Sequence, residues 1–225
     1  MNVLIGCENS GIIRDAFAAR GHNAMSCDLL PSDRPGLHYQ GDVRDLLFSG
    51  NGWDLFICHP DCTYICSSGL HWNKKRPERE KQTEQALEFV REMMAAPVPR
   101  IAIENPVGRI GTAIRPADQY IQPYEFGHDA SKRTGLWLKN LPTLKADPKN
   151  YVQPRYVCCG EVLDVGLVGR YGCPYCCGDK TPRPRWSNQT NSGQNALPPS
   201  ADRWKVRAET YQGWADAMAE QWGIL

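Results

Sequence analysis

The chain has 225 residues, 41% hydrophobic and 23% charged, with 26 Lys and Arg against 25 Asp and Glu. Such a composition supports a globular core and excludes a disordered chain or a uniformly basic packaging protein, though not a local basic face. No apolar run approaches the ~20 residues that cross a bilayer. The opening Met1-Asn2-Val3-Leu4-Ile5-Gly6 goes straight into a strand-like pattern, so a cytoplasmic protein is expected.

In chain order, Val3 to Cys7 reads as a buried strand ending in Glu8-Asn9-Ser10-Gly11. A helix follows from Ile12 to Arg20, with Ile12, Ile13, Ala16 and Phe17 on one face and a stop at Gly21. Asn23 to Cys27 is a second strand ending at Asp28. A loop rich in Pro, Ser and Gly then leads to Gly41-Asp42-Val43. Asp54 to Cys58 reads as a strand closed by His59-Pro60, Glu78 to Ala95 as a helix, and Arg100 to Glu104 as a strand stopped by Asn105-Pro106. Residues 119–142 suggest two strands around a turn. Residues 179–202 read as a loop, and 203–222 as one or two closing amphipathic helices carrying Trp204, Tyr211, Trp214, Met218 and Trp222.

Strands alternating with helices predict an α/β fold with a mostly parallel sheet covered on both faces. In such sheets ligands bind outside the carboxyl ends of the strands. Five successive strand ends here carry polar or reactive groups: Glu8 to Gly11, Asp28, Gly41-Asp42, His59 to Cys62, and Glu104 to Pro106. Caps and turns favour the same residue types one at a time; five in a row point to a shared crevice.

Ten cysteines in a chain of this kind favour metal binding or catalysis over disulfides. Five lie early, at 7, 27, 58, 62 and 66, and five late, at 158, 159, 173, 176 and 177. Cys62 sits in a Pro-containing turn after a strand, where a thiol of lowered pKa is a competent nucleophile.

With Glu8-Asn9-Ser10-Gly11, Asp28, Gly41-Asp42-Val43, Pro60-Asp61-Cys62 and Glu104-Asn105-Pro106 in order, the first 110 residues resemble the S-adenosylmethionine-dependent cytosine-C5 methyltransferases. More narrowly, the chain resembles the short phage and prophage proteins of that family, which share Phe126-Gly127-His128, Leu136 to Lys139 and an ending like Asp202 to Lys205. The resemblance implies a Rossmann-like class I methyltransferase sheet and DNA as partner, in the host cytoplasm if the chain is phage-encoded. It implies Cys62 as the group that adds to cytosine C6, and Glu104 as the group that holds the N3 and N4 edge. Cys7, Glu8, Asn9, Ser10, Gly11 and Pro60 would line the cofactor site, with Asp28 on the ribose and Asp42 on the adenine amine.

Two departures stand out. Asp61 and Thr63 replace the family's proline and glutamine around the cysteine, and a carboxylate there raises a thiol pKa unless His59, Lys74 or Lys132 compensates. The family's Gln-x-Arg-x-Arg motif is absent, and His128 and Lys132, with Thr134, occupy a similar place as catalytic support.

Cys158-Cys159-Gly160 and Cys173-Pro174-Tyr175-Cys176-Cys177-Gly178 supply five thiols for a tetrahedral zinc site that needs four. Cys158, Cys159, Cys173 and Cys176 are the expected ligands of a structural zinc, with Cys177 the spare. The expected organisation is a catalytic domain over 1–150, a zinc-ribbon insertion over 151–180, and a loop and closing helix over 181–225 packing back on the catalytic domain. Charge is polarised: residues 1–57 hold four basic and seven acidic residues, residues 74–81 five and two, and residues 150–207 eight and four. The basic stretches, with Tyr171, Tyr175, Trp186 and Trp204, suit phosphates and stacked bases. Two further readings of the same residues are C5 modification of a free pyrimidine nucleotide and a catalytically silent, zinc-containing nucleic-acid-binding protein.

Overall fold

The apolar runs of the first half become strands buried on both faces, as parallel strands are. The computed structural model describes residues 1–50, 52–70, 72–73, 75–163, 173 and 181–225. Its main sheet contains β1 (Asn2–Gly6), β2 (Asn23–Asp28), β3 (His38–Gln40), β4 (Leu55–Cys58), β5 (Arg100–Pro106), β6 (Gln119–Ile121) and β7 (Thr134–Lys139), in the order β3-β2-β1-β4-β5-β7-β6. β1 to β5 are parallel to one another, and β7 runs antiparallel between β5 and β6. The fold is therefore mixed α/β with a mostly parallel central sheet. Strand order reverses between β1 and β4, the topological switch point at which such sheets open a crevice.

Side chains alternate across the sheet. Leu4, Phe56, Cys58, Ile101 and Ile103 share one core with Leu87, Val90 and Met93 of α4 (Arg79–Met94). α1 (Ile12–Ala18) lies against β1 and β2, and the closing helix α7 (Gln212–Trp222) packs along α1. The shorter helices are α2 (Arg44–Leu47), α3 (Ser67–Leu70), α5 (Ile110–Ala113) and α6 (Arg203–Ala208). No helix of the described residues is long and apolar enough to cross a membrane.

One buried charge organises the entrance to the sheet. Arg14 of α1 is 1% exposed. Its Nη1 donates to Ser26 Oγ at 3.1 Å and Ser32 Oγ at 3.0 Å, and its Nη2 to the Pro35 carbonyl at 2.9 Å. A guanidinium buried this way needs every donor met, so it binds the loop after β2 to α1 and fixes the strand end that carries Asp28.

The chain divides into two compact units. The first comprises residues 1–121, 133–145 and 210–225, the second residues 122–132 and 146–209. Within the second, β8 (Arg155–Cys158), β9 (Glu161–Leu163) and β10 (Arg183–Arg185) form a small antiparallel sheet in the order β10-β8-β9. Tyr124 stacks on Trp186 with centroids 4.0 Å apart, and Trp186 Nε1 donates to the Val152 carbonyl.

The structure departs from the sequence expectation at two short strands. β3 and β10 lie in segments that read as loops; each has three residues, too few to display a period of two. The core assignment carries its own test. Phe56→Ala removes a fully buried ring and is expected to cost about 3–5 kcal/mol. Phe48→Ala, at a side chain that is mostly exposed, should cost within about 0.5 kcal/mol; urea midpoints measure both.

Candidate active site

Three neighbouring strands, β1, β4 and β5, end at the switch point, and the segment after each is polar. After β1 the backbone turns through Cys7 at φ 56° and Gly11 at φ 72°. A left-handed cysteine stores about 1–3 kcal/mol of strain, a feature that clusters at ligand sites. Gly11 accepts the same region freely and precedes the first turn of α1. Glu8 is 4% exposed. Its Oε1 accepts from Ser10 Oγ at 2.7 Å and from the Ile13 amide at 3.2 Å, while its Oε2 has no hydrogen-bond partner among the described residues. Asn9 is half-buried, and its Nδ2 donates to Asp33 Oδ2 at 3.4 Å.

After β4 comes His59-Pro60-Asp61-Cys62, and β5 carries Glu104 and Asn105. Two contacts join these segments. His59 Nδ1 donates to Glu104 Oε2 at 2.8 Å, with both side chains only 12% and 10% exposed. Asn105 Nδ2 donates to the Pro60 carbonyl at 2.6 Å. The far atoms of both, His59 Nε2 and Asn105 Oδ1, are buried without a hydrogen-bond partner among the described residues.

The Cys62 turn is held from two sides. Thr83 Oγ1 of α4 donates to the Tyr64 carbonyl at 2.9 Å, and Arg79 Nη2 donates to the Thr63 carbonyl at 3.1 Å. From the other side, the Arg109 amide donates to the Ile65 carbonyl at 2.7 Å and the Ser67 amide to the Val107 carbonyl at 3.0 Å. Asp61, exposed, accepts through Oδ1 from the Thr63 amide at 2.9 Å and Thr63 Oγ1 at 2.7 Å. Cys62 itself is half-buried.

The early cysteines differ in electrostatic surroundings. Burial pushes the Cys27 thiol up to about 12, helped by Cys7, Asp28, Asp42 and Asp45. Burial and the Cys7 contact raise Cys58 as well. Both are inert thiols. Cys66 goes the other way. A hydrogen bond with the Cys62 side chain, then Ser68 Oγ at 3.0 Å and the Gly69 and Ser68 amides, hold it well below the usual thiol range against the opposing effect of burial. Sequence reasoning passed over Cys66 and the His59–Glu104 contact. The i, i+4 spacing of Cys62 and Cys66, one helical turn, was the available signal.

The remaining expected site residues are dispersed. Asp28 closes β2, and its Oδ1 accepts from the Leu30 amide. Asp42 follows β3 and is engaged by Arg44, through the amide and through Nη1, each at 3.0 Å. Arg44 also clasps Glu92 of α4, which holds its guanidinium firmly protonated. His128 and Lys132 belong to the second unit, where the His128 amide donates to the Pro123 carbonyl and Lys132 Nζ to the Arg207 carbonyl at 3.2 Å. Lys74 lies outside the described residues.

Beyond the Cys62 turn, cations and rings alternate. Arg79 lies 4.5 Å over Tyr64, and Lys75 and Arg76 lie 5.2 Å and 5.7 Å over Trp72, which is 43% exposed.

In the second unit, the Sγ atoms of Cys158, Cys159 and Cys173 lie within 4.8 Å of one another, with Cys158 and Cys159 3.9 Å apart. Cys159 and Gly160 are the two loop residues of the β8–β9 hairpin, at φ 55° and 87°. A two-residue turn with both φ positive is the tight hairpin turn, and it lets adjacent cysteines offer sulfur to one point. Zn–S bonds of about 2.3 Å in tetrahedral geometry place sulfurs about 3.8 Å apart, so the pair fits a metal. Cys176, Cys177, Tyr171 and Tyr175 lie outside the described residues.

No protein-family model and no curated protein matches the chain. Among solved structures it is similar to a crystal structure from E. coli described as a candidate DNA modification methyltransferase encoded within a prophage. That match has 15% identity and a TM-score of 0.39, over 61% of this chain and 46% of that one. The chain thus spans less than half the length of that neighbour.

The packing of the Cys62 turn is open to test at Gly108. A Cβ there would meet Cys66 Cα at 2.6 Å and clash with the Ile65 carbonyl. Gly108→Ala is therefore expected to displace residues 62–66, changing the alkylation rate of Cys62 severalfold while circular dichroism shows the sheet intact.

Proposed function

We propose that this chain transfers a methyl group from S-adenosylmethionine to C5 of cytosine in DNA, through a covalent bond between Cys62 and C6. The observation that most supports this reading is the set of buried atoms Glu8 Oε2, His59 Nε2 and Asn105 Oδ1, unpartnered among the described residues at the ends of three adjacent strands. A buried polar atom that nothing meets costs about 1–3 kcal/mol. Three of them around the switch point of a parallel sheet fit a polar ligand bound there. The strand order, with its one reversed strand, also agrees with the class I methyltransferase sheet that the sequence resembles.

Bound there, S-adenosylmethionine supplies an electrophilic methyl group. Cys7, Glu8, Asn9, Ser10 and Gly11, with Pro60, would surround its amino-acid end, Asp28 would accept from the ribose hydroxyls, and Asp42 would meet the adenine amine. Cytosine C5 is a weak nucleophile until a thiolate adds to C6. Cys62 performs that addition, and the displaced π pair spreads towards C4 and N3, where Glu104 hydrogen-bonds the ring. The His59 contact fixes the Glu104 carboxyl before substrate arrives, and such preorganised polar contacts are worth several kcal/mol of barrier. With a methyl group on C5, loss of the C5 proton to water would re-form the C5=C6 bond and return the C6–S pair to Cys62 as thiolate.

A cytosine in a duplex must leave the stack before its C6 can be reached. The cations and rings of Tyr64, Trp72, Lys75, Arg76 and Arg79 suit phosphates and unstacked bases beside such a site. This favours the polymer over a free nucleotide. The second unit, on the same reading, is a zinc-stapled module in which Cys158, Cys159 and Cys173 are joined by Cys176.

Tritiated S-adenosylmethionine offered with duplex DNA or dCMP measures the function. Label is expected in DNA, and Cys62→Ser is expected to reduce it to background and to prevent trapping by DNA containing 5-fluorocytosine. Label in dCMP alone would make the substrate a nucleotide; label in neither, with salt-sensitive DNA binding retained, would make the chain a silent binder. For the metal, elemental analysis should give about one zinc per chain, falling severalfold in Cys173→Ala; a zinc-free, folded second unit would contradict the module.

A further inference from the structure

We infer that Arg109 and Arg133, the latter seated on Tyr120, hold backbone phosphates of DNA on the side of the Cys62 turn away from α4. The inference rests on the reading of DNA as partner, but not on the transfer of a methyl group.

Backbone hydrogen bonds carry these residues from the Cys62 turn to the edge of the sheet. The Arg109 amide donates to the Ile65 carbonyl at 2.7 Å, and Gly108 bridges to Cys66. One residue earlier, the Val107 amide donates to the Arg133 carbonyl at 3.3 Å, beside the pairing of Pro106 with Thr134 that begins β7. β7 pairs in turn with the edge strand β6, where Tyr120 stands opposite Gly135. The Arg133 guanidinium lies 4.1 Å over the Tyr120 ring. Both arginines and the ring are exposed. All three belong to the first compact unit, as the Cys62 turn does.

Several arginines of this unit are spent on carboxylates. Arg14 meets Asp15, Arg44 meets Asp42 and Glu92, Arg91 meets Glu84 and Glu88, and Arg115 meets Asp118. Arg79, Arg109 and Arg133 form no ion pair among the described residues. Arg79 and Arg133 lie instead over rings, Tyr64 at 4.5 Å and Tyr120 at 4.1 Å. A guanidinium stacked on a ring uses its face and keeps the N–H fork in its plane for another partner. That fork matches two oxygens of a phosphate. The carboxylates of the same segments are already engaged. Asp118 is taken by Arg115 at 2.8 Å, Glu104 is buried against His59, and Asp61 accepts from Thr63.

The Cys62 turn is thus flanked by positive charge that no carboxylate offsets, Arg79 on the α4 side and Arg109 with Arg133 on the other. A DNA strand carries a phosphate about every 3.4 Å along its axis. A nucleotide drawn out of the stack towards Cys62 keeps phosphates on both sides of itself, so a single strand can engage both flanks. Such contacts fix the strand's position and read no sequence.

Fluorescence anisotropy of the full chain with labelled duplex DNA, without methyl donor, tests this between 50 and 200 mM salt. Each phosphate contact adds about 0.9 to the slope of log affinity against log salt. The Arg109→Gln, Arg133→Gln double variant should therefore show a slope shallower by about 1.8, and its loss of affinity across that range should be about twelvefold smaller than in the wild type. The Arg109→Lys, Arg133→Lys variant keeps both charges and should keep the wild-type slope. Arg20→Gln alters an exposed arginine just before β2 begins, at the opposite edge of the sheet, and should change nothing. Wild-type affinity and slope in the double glutamine variant would overturn the assignment, as would a wild type that does not bind DNA. A shallower slope in that variant, with no label transferred by the wild type, would keep the phosphate contacts and discard the methylation reading. Label transferred to DNA with the slope unmoved would do the reverse.

Discussion

The hydrogen bond from Asn105 Nδ2 to the Pro60 carbonyl, at 2.6 Å, is the contact on which the site depends. β4 and β5 are neighbouring parallel strands in register from Leu55 with Arg100 to Cys58 with Ile103, so the segments leaving them start side by side. Further along, the Ser67–Val107 and Arg109–Ile65 backbone hydrogen bonds join them; at the strand ends a side chain must keep them together. The Asn105 amide does, and the His59–Glu104 contact beside it does so a second time. Both are buried, where a lost partner costs the whole desolvation penalty. Glu104 and the segment that leads to Cys62 are thereby tied at neighbouring strand ends.

On the proposed reading, the far sides of the same groups are left for a ligand's polar atoms to meet. Asn105 Oδ1, His59 Nε2 and Glu8 Oε2 remain unpartnered among the described residues. A fold that only needed stability would replace them by apolar side chains at little cost. Keeping them, together with a left-handed Cys7, is the pattern of a site organised for something else to complete.

The sheet was legible because its strands are apolar runs punctuated by Gly, Pro, Asn and Asp, and because each strand end carries a reactive group. What escaped was short or depended on tertiary contacts. His38 to Gln40 has too few residues to show a period. The buried Arg14 looks like any amphipathic-helix arginine until Ser26, Ser32 and Pro35 gather around it. Asp61 adjoins Cys62 in the sequence, and only the folded turn shows its Oδ1 accepting from the Thr63 amide and hydroxyl. The adjacent Cys158 and Cys159 look wrong for a metal knuckle until the hairpin turn, positive φ at both Cys159 and Gly160, places their sulfurs 3.9 Å apart. His128 and Lys132 entered on resemblance alone, and their described contacts lie within the second unit.

A crystal structure with S-adenosylhomocysteine tests the central claim most directly, because it asks whether the three strand ends enclose the donor. The account predicts the ligand at the ends of β1 and β4, its ribose on Asp28, its sulfur facing the gap between Cys62 and Glu104, and Glu8 Oε2 no longer unpartnered. A ligand bound elsewhere on the chain, or Cys62 and Glu104 facing away from its sulfur, would contradict it.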